Sequence, residues 1–207
     1  MKIIVFGATG TVGLHLITQS LDEGHSVTAF SRNIERLSIN HKKLAKVQGD
    51  VLKTSEIENA ITGHDAVIVV LGAGLKGQVR SVGTLNIIKA MKGKRIKRLI
   101  CQSTLGVGAS WGNLNFYWKY IMFSGLLRKV YSDHVLQEKY VQESDLDWTI
   151  VRPSAFTDGG KTGLYRHGFS EVDRNTTLKI SRADVADFLL KQLSDLRYLH
   201  KSPGISY

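Results

Sequence analysis

Residues 7–13, Gly-Ala-Thr-Gly-Thr-Val-Gly, carry the clearest chemistry in the chain. They follow an apolar run and open an amphipathic one, the setting of a strand–turn–helix that holds an anion. Gly7 lets the chain turn sharply, Gly10 lets a pyrophosphate approach bare backbone, and Gly13 lets the helix pack close to the sheet. The free N–H groups of the helix start, at Thr11, Val12 and Gly13, face the charge alongside Thr9. The spacing is G-x-x-G-x-x-G rather than G-x-G-x-x-G, and with a second strand in register it predicts a dinucleotide site.

Other strand ends converge on the same ligand. Where a carboxylate about 20 residues on would bind a ribose 2′-hydroxyl, the chain has Ser31-Arg32, with Arg36 a turn later. A hydroxyl and guanidinium groups suit a 2′-phosphate, so NADP(H) is the expected cofactor. Asp50 and Val51 follow the third strand and flank the adenine; Leu71, Gly72 and Ala73 follow the fourth and let the ribose or pyrophosphate pass. At the fifth strand end stands Ser103, whose hydroxyl reaches a nicotinamide or an acceptor carbonyl.

Alcohol–ketone chemistry at such a serine calls for a Tyr-x-x-x-Lys pair, in which lysine lowers the tyrosine's pKa. The residues four places after Tyr117, Tyr120, Tyr131 and Tyr140 are Ile121, Ser124, Val135 and Ser144. The pair is absent, which leaves a hydride acceptor needing little acid catalysis, or no turnover. His134, beside Asp133, is either a pocket proton donor with a raised pKa or a residue making local hydrogen bonds. The other histidines lack metal-ligand spacing such as H-E-x-x-H, and no metal site is expected.

These groups are positioned by alternating elements. Apolar runs at 2–6, 26–30, 46–49, 66–71, 98–102 and 148–151 read as buried strands. Segments 11–23, 55–61 and 79–91, and one long helix or a pair over 113–143, read as helices between them, which predicts a doubly wound parallel α/β sheet, Rossmann-like, in one domain over 1–207. After Pro153 a flexible polar loop at 158–163 precedes a last helix with Ser181 as N-cap and Asp184 at its third position, read as a small C-terminal cap.

The set of motifs is similar to the atypical short-chain dehydrogenases: GATGTVG, Ser31-Arg32, Gly49-Asp50-Val51-Leu52, the run from Asp65 to Gly72, Ser103, Ser132-Asp133-His134 and Ile180-Ser181-Arg182-Ala183-Asp184. Within them the chain most resembles the biliverdin-IXβ reductase, or flavin reductase, branch, from Met1 to about the final helix. The resemblance implies NADPH-dependent reduction of a flavin, with a bilin, quinone or other planar acceptor behind it. It implies Ser103 and His134 at the catalytic centre, Pro153, Ser154, Ala155 and Phe156 closing over the nicotinamide, and Leu105 and Trp111 on the substrate side. Ala155 stands where that branch has a histidine, and Arg152-Pro153 is similar instead to NmrA-like relatives that sense the dinucleotide without reducing anything. A sensor docking a partner through the aromatic segment near Trp118 is therefore the alternative. Sugar-nucleotide epimerisation is disfavoured by the missing Tyr-x-x-x-Lys.

Composition sets the outer bounds. With 207 residues, 43% hydrophobic and 22% charged, an ordered globular protein is expected. The lone Cys101, in an apolar run, excludes a disulfide framework and points to a reducing, cytoplasmic setting, as does an N-terminus that enters a strand at once. The net charge of +10 favours anionic ligands. Its densest stretch, 89–98, falls at a helix end, where cations suit the dipole, and lacks interleaved aromatics, so nucleic acid is not expected. Segment 114–127 is too short for the ~20 apolar residues of a spanning helix, so insertion is not expected; it reads as a core or subunit-contact helix or a pocket wall. Oligomeric state is not legible.

Overall fold

Four consecutive side chains of the first strand, Ile3, Ile4, Val5 and Phe6, are wholly buried, which requires cover on both faces of the sheet. The computed structural model, which describes every residue except 73, 75–77 and 170–171, supplies that cover. Strands β1 (Lys2–Phe6), β2 (Ser26–Ser31), β3 (Leu44–Gln48), β4 (Ala66–Val69), β5 (Arg98–Gln102) and β6 (Asp147–Pro153) alternate with helices. These are α1 (Thr11–Asp22), α2 (Thr54–Ile61), α3 (Val79–Gly93) and α4 (Arg128–Gln142). Ile3 and Val5 face Leu16, Ile17 and, from the far end of the chain, Val185 and Leu189. Ile4 and Phe6, one residue out of phase, face Ile57, Ile61, Ile87 and Met91.

Among the described residues the main sheet has eight strands, in the order β3-β2-β1-β4-β5-β6 and then two short strands from the C-terminal region, β10 (Gly204–Ser206) and β8 (Arg166–Phe169). The order reverses between β1 and β4, and the crevice outside their carboxyl ends is where an open sheet of this kind takes a ligand. The Rossmann-like doubly wound sheet is thus as expected.

The C-terminal region does more than cap it. After β7 (Ala155–Thr157), strands β8 (Arg166–Phe169) and β10 (Gly204–Ser206) extend the main sheet, β10 parallel to β6 and β8 antiparallel to β10. Strand β9 (Lys179–Ser181) pairs with β7 in a separate small sheet and leads into α5 (Arg182–Lys191). Ser181 caps α5 as predicted, its hydroxyl accepting from the Asp184 N–H at 3.0 Å. The polar loop at 158–163 is pinned to α5: Asp184 accepts from the Thr162 and Gly163 N–H groups, both at 2.8 Å, and Asp187 pairs with Lys161 at 2.7 Å.

The segment 113–143, expected as one long helix or a pair, is a pair, preceded by a 3-10 stretch. A 3-10 stretch (Gly108–Asn113), a ten-residue π-helix (Tyr117–Leu126) and α4 follow one another. The wide coil is explicit in the Leu127 N–H, which donates to the Met122 carbonyl at 2.7 Å, and in the Ser124 hydroxyl, which donates to the Lys119 carbonyl at 2.8 Å. No helix among the described residues is long and apolar enough to cross a membrane.

Candidate functional site

The glycine turn joins β1 to α1 at the switch point. Gly7 has φ +92°, and a Cβ there would lie 2.5 Å from the Val70 carbonyl oxygen, so neither conformation nor space admits another residue. A Cβ on Gly13 would lie 2.3 Å from the Gly7 oxygen. This corrects the role assigned to Gly13: its bareness seats the helix against the turn itself rather than against the sheet. Among the described residues no side chain caps the first turn of α1, and no acid lies in it, which leaves that end to an outside anion.

A hollow of about 100 Å³ opens beside the turn, lined by Gly7, Thr9, Ser31, Arg32, Val51, Leu71 and Gly72 among others. Seven residues expected at the dinucleotide therefore meet in one place. The Thr9 and Ser31 hydroxyls are 2.6 Å apart, tying the turn to the end of β2. Arg32 and Arg36 are exposed, and among the described residues neither is in an ion pair; Arg36 lies outside the hollow. Asp50 lies outside as well, because its carboxylate accepts from the Leu52 N–H at 3.0 Å in its own turn. Gly10, Thr11 and Val12 sit at the helix start, and Ala73 lies outside the described residues.

A larger cavity of about 400 Å³ lies beyond the ends of β5 and β6. Of the expected residues, Ser103, Leu105, His134 and the run Pro153 to Phe156 line it. Ser103 is 2% exposed; its N–H donates to the Val151 carbonyl at 2.8 Å, but its hydroxyl has no partner among the described residues. A buried hydroxyl so placed is available to a ligand. Trp111, expected on the substrate side, does not line the cavity; its ring packs edge-on to Tyr131, with centroids 5.4 Å apart, behind the wall.

Segment 114–127, read in the sequence as a core or subunit-contact helix or a pocket wall, lines this cavity. Leu114, Trp118, Phe123, Leu127 and Val130 form the wall, with Arg80 from α3 and Arg182 from α5. Trp118 and Phe123, five residues apart on the π-helix, bring their rings to 5.8 Å. Beneath them Arg152 and Glu138 form a buried fork-to-fork pair, Nε to Oε1 at 3.0 Å and a second bond at 2.6 Å, which fixes α4 to β6 just before Pro153.

The raised pKa expected of His134 is corrected. Burial first, and the Arg80 charge second, push its pKa down to about 3 against the pull of Asp133. Asp133 is itself taken up by α3, accepting from the Ser81 N–H at 3.0 Å and the Arg80 N–H at 3.2 Å. The imidazole is therefore neutral at ordinary pH. Because its folded pKa lies below its unfolded one, it contributes stability above about 6.5 that is lost as pH falls toward about 3. We expect His134→Gln to flatten the acid limb of a stability-versus-pH curve measured by urea unfolding; an unchanged limb removes His134 from it.

Comparisons with known proteins agree with this geometry. A family model described as NAD(P)H-binding matches residues 7–196. The chain is 27% identical over 175 residues to the Arabidopsis thaliana protein "Uncharacterized protein At2g34460, chloroplastic", a match covering 78% of this chain and 61% of that one. The chain thus spans about three fifths of that relative's length. It is similar to the oxidoreductase ylbE from Lactococcus lactis, with TM-score 0.85 and 25% identity over 100% of this chain and 90% of that one. It shares its fold with ChuY, an anaerobillin reductase from Escherichia coli O157:H7, at TM-score 0.82 and 22% identity over 100% and 97% of the two chains.

Proposed function

The chain belongs to the NAD(P)H-binding family, and from that premise we propose that it is an NADPH-dependent reductase of a flat conjugated acceptor. Flavin is the first candidate, with bilin and quinone next. The observation that carries the reading is the cavity beyond β5 and β6, largely apolar and floored by the unpartnered hydroxyl of Ser103. The bound dinucleotide supplies the hydride. The protein's part is to hold and orient: the start of α1 for the pyrophosphate, Ser31 and Arg32 for a 2′-phosphate, and Ser103 for the nicotinamide or the acceptor. Leu105, Trp118 and Phe123 exclude water. A neutral His134 and the missing Tyr-x-x-x-Lys leave no ready acid, which suits acceptors whose conjugated rings accommodate the incoming charge. ChuY, named as a bilin reductase, supports including bilins.

The test is oxidation of NADPH, and of NADH for comparison, against a panel of flavins, bilins and quinones. We expect turnover with NADPH favoured, and Ser103→Ala to lower kcat about 10- to 100-fold while NADPH affinity survives. Full activity in the variant removes Ser103 from the mechanism.

A second reading rests on the outer side of the π-helix, where Phe116, Tyr117, Tyr120, Ile121 and Leu126 are exposed. A dinucleotide sensor would dock a partner there. Tight NADPH binding with no oxidation across the panel favours it.

A further inference from the structure

The polar side of the large cavity is charged with one sign. Among the described residues that line it there is no carboxylate, while Arg80 and Arg182 both do. Arg182 is the first residue of α5. Its guanidinium lies over the Phe156 ring, 5.4 Å from the centroid, and one terminal nitrogen meets Asp158 at 2.5 Å. Asp158 is a surface carboxylate with its side chain 93% exposed, and an anion arriving from the cavity replaces it at little cost. The Arg182 Nε is buried and has no hydrogen-bond partner among the described residues. Arg80 repeats the pattern: its Nη1 is buried without such a partner, and the nearest carboxylate oxygen, on Asp133, is 3.8 Å away. Two arginines on the lining of one cavity thus each keep a buried N–H donor without a hydrogen bond among the described residues, Arg80 while ion-paired to Asp133. Such donors are costly to leave unmade and are matched in shape and charge by an oxyanion.

We propose that the acceptor carries an anionic arm, a phosphate or a carboxylate, which Arg182 binds from the start of α5, with Arg80 as the second contact. The proposal rests on the reductase reading for its choice of acceptor. Its physical content, an oxyanion subsite in this cavity, is separate. The conjugated body then lies along Trp118 and Phe123 and the arm points to α5, so Arg182 sets which acceptors are taken and in which orientation. Flavin mononucleotide and a bilin propionate present the same oxyanion chemistry from different sources.

Two matched pairs of probes distinguish those sources: flavin mononucleotide against riboflavin, and biliverdin against its dimethyl ester. Binding to the full chain saturated with NADP+ is read by quenching of tryptophan fluorescence, Trp118 being in the cavity wall. NADPH oxidation is followed in parallel. We expect at least one anionic probe to bind about tenfold or more tighter than its neutral counterpart. Arg182→Met is expected to erase that preference and Arg182→Lys, which keeps the charge, to restore part of it; Arg80→Met gives a smaller loss. Equal binding within both pairs, no binding of any of the four, or a preference unchanged in Arg182→Met overturns the proposal. Anion preference in binding without any NADPH oxidation upholds the subsite and sinks the reductase reading instead.

Discussion

Replacing Gly13 by alanine is expected to weaken NADPH binding on the order of a hundredfold and to lower the unfolding temperature by about 2–12 °C. The added Cβ would lie 2.3 Å from the Gly7 oxygen and 2.7 Å from the Ala8 oxygen. Both are backbone atoms, so no side chain can swing aside, and α1 must lift off the turn. Overpacking of this kind costs about 1–3 kcal/mol, and the same movement draws the helix N–H groups away from the pyrophosphate. Gly10→Ala is the control. Among the described residues its Cβ would meet only the Gly7 oxygen, at 3.1 Å, so it is expected to lose affinity with less change in stability. Titration calorimetry and thermal melts separate the two effects. Wild-type affinity in Gly13→Ala would exclude the turn as the anion site.

The second large effect is expected from the buried pair beneath the cavity. Glu138→Ala leaves Arg152, which is 5% exposed, with no counter-charge among the described residues, and such an orphaned charge costs about 3–5 kcal/mol. At this chain length that corresponds to a fall of about 6–20 °C in the melting temperature. Glu138→Leu combined with Arg152→Met removes both charges and is expected to recover much of the loss. If the single variant melts within 2 °C or so of the wild type, the pair contributes little. Because Arg152 directly precedes Pro153, the single variant is also expected to raise KM for the acceptor more than for NADPH.

Legibility in the sequence followed the range of the interactions involved. The glycine turn, the Ser31-Arg32 end of β2 and the Ser181 cap depend on neighbours a few residues away, and their types and spacing announce them. Strands β8 and β10 are four and three residues long and exist because β6 leaves an edge for them, a fact no local periodicity carries. His134 misled for a related reason. Its neighbour Asp133 suggests a raised pKa, but the sign is decided by burial and by Arg80, more than 50 residues earlier in the chain. Asp133 meanwhile is held by Ser81. A pocket wall was one reading of 114–127, but which side chains face inward was hidden by the pitch: Trp118 and Phe123 stand five apart, a spacing that an α-helical template assigns to different faces.

The π-helix has a further meaning, for how such a site changes over generations. A coil with i→i+5 bonding is what remains when one residue is inserted into an α-helix whose ends are held; the newcomer is absorbed as girth instead of length. Here one end is held by the cavity rim at Leu114 and the other by α4. Loss of a single residue between them would tighten the coil and turn the upstream side chains by about 100° about its axis. A different set of aromatics would then face inward, while the glycine turn and Ser103 stayed where they are. A single insertion or deletion in this one segment would thus re-line the cavity while the residues of the glycine turn stayed in place.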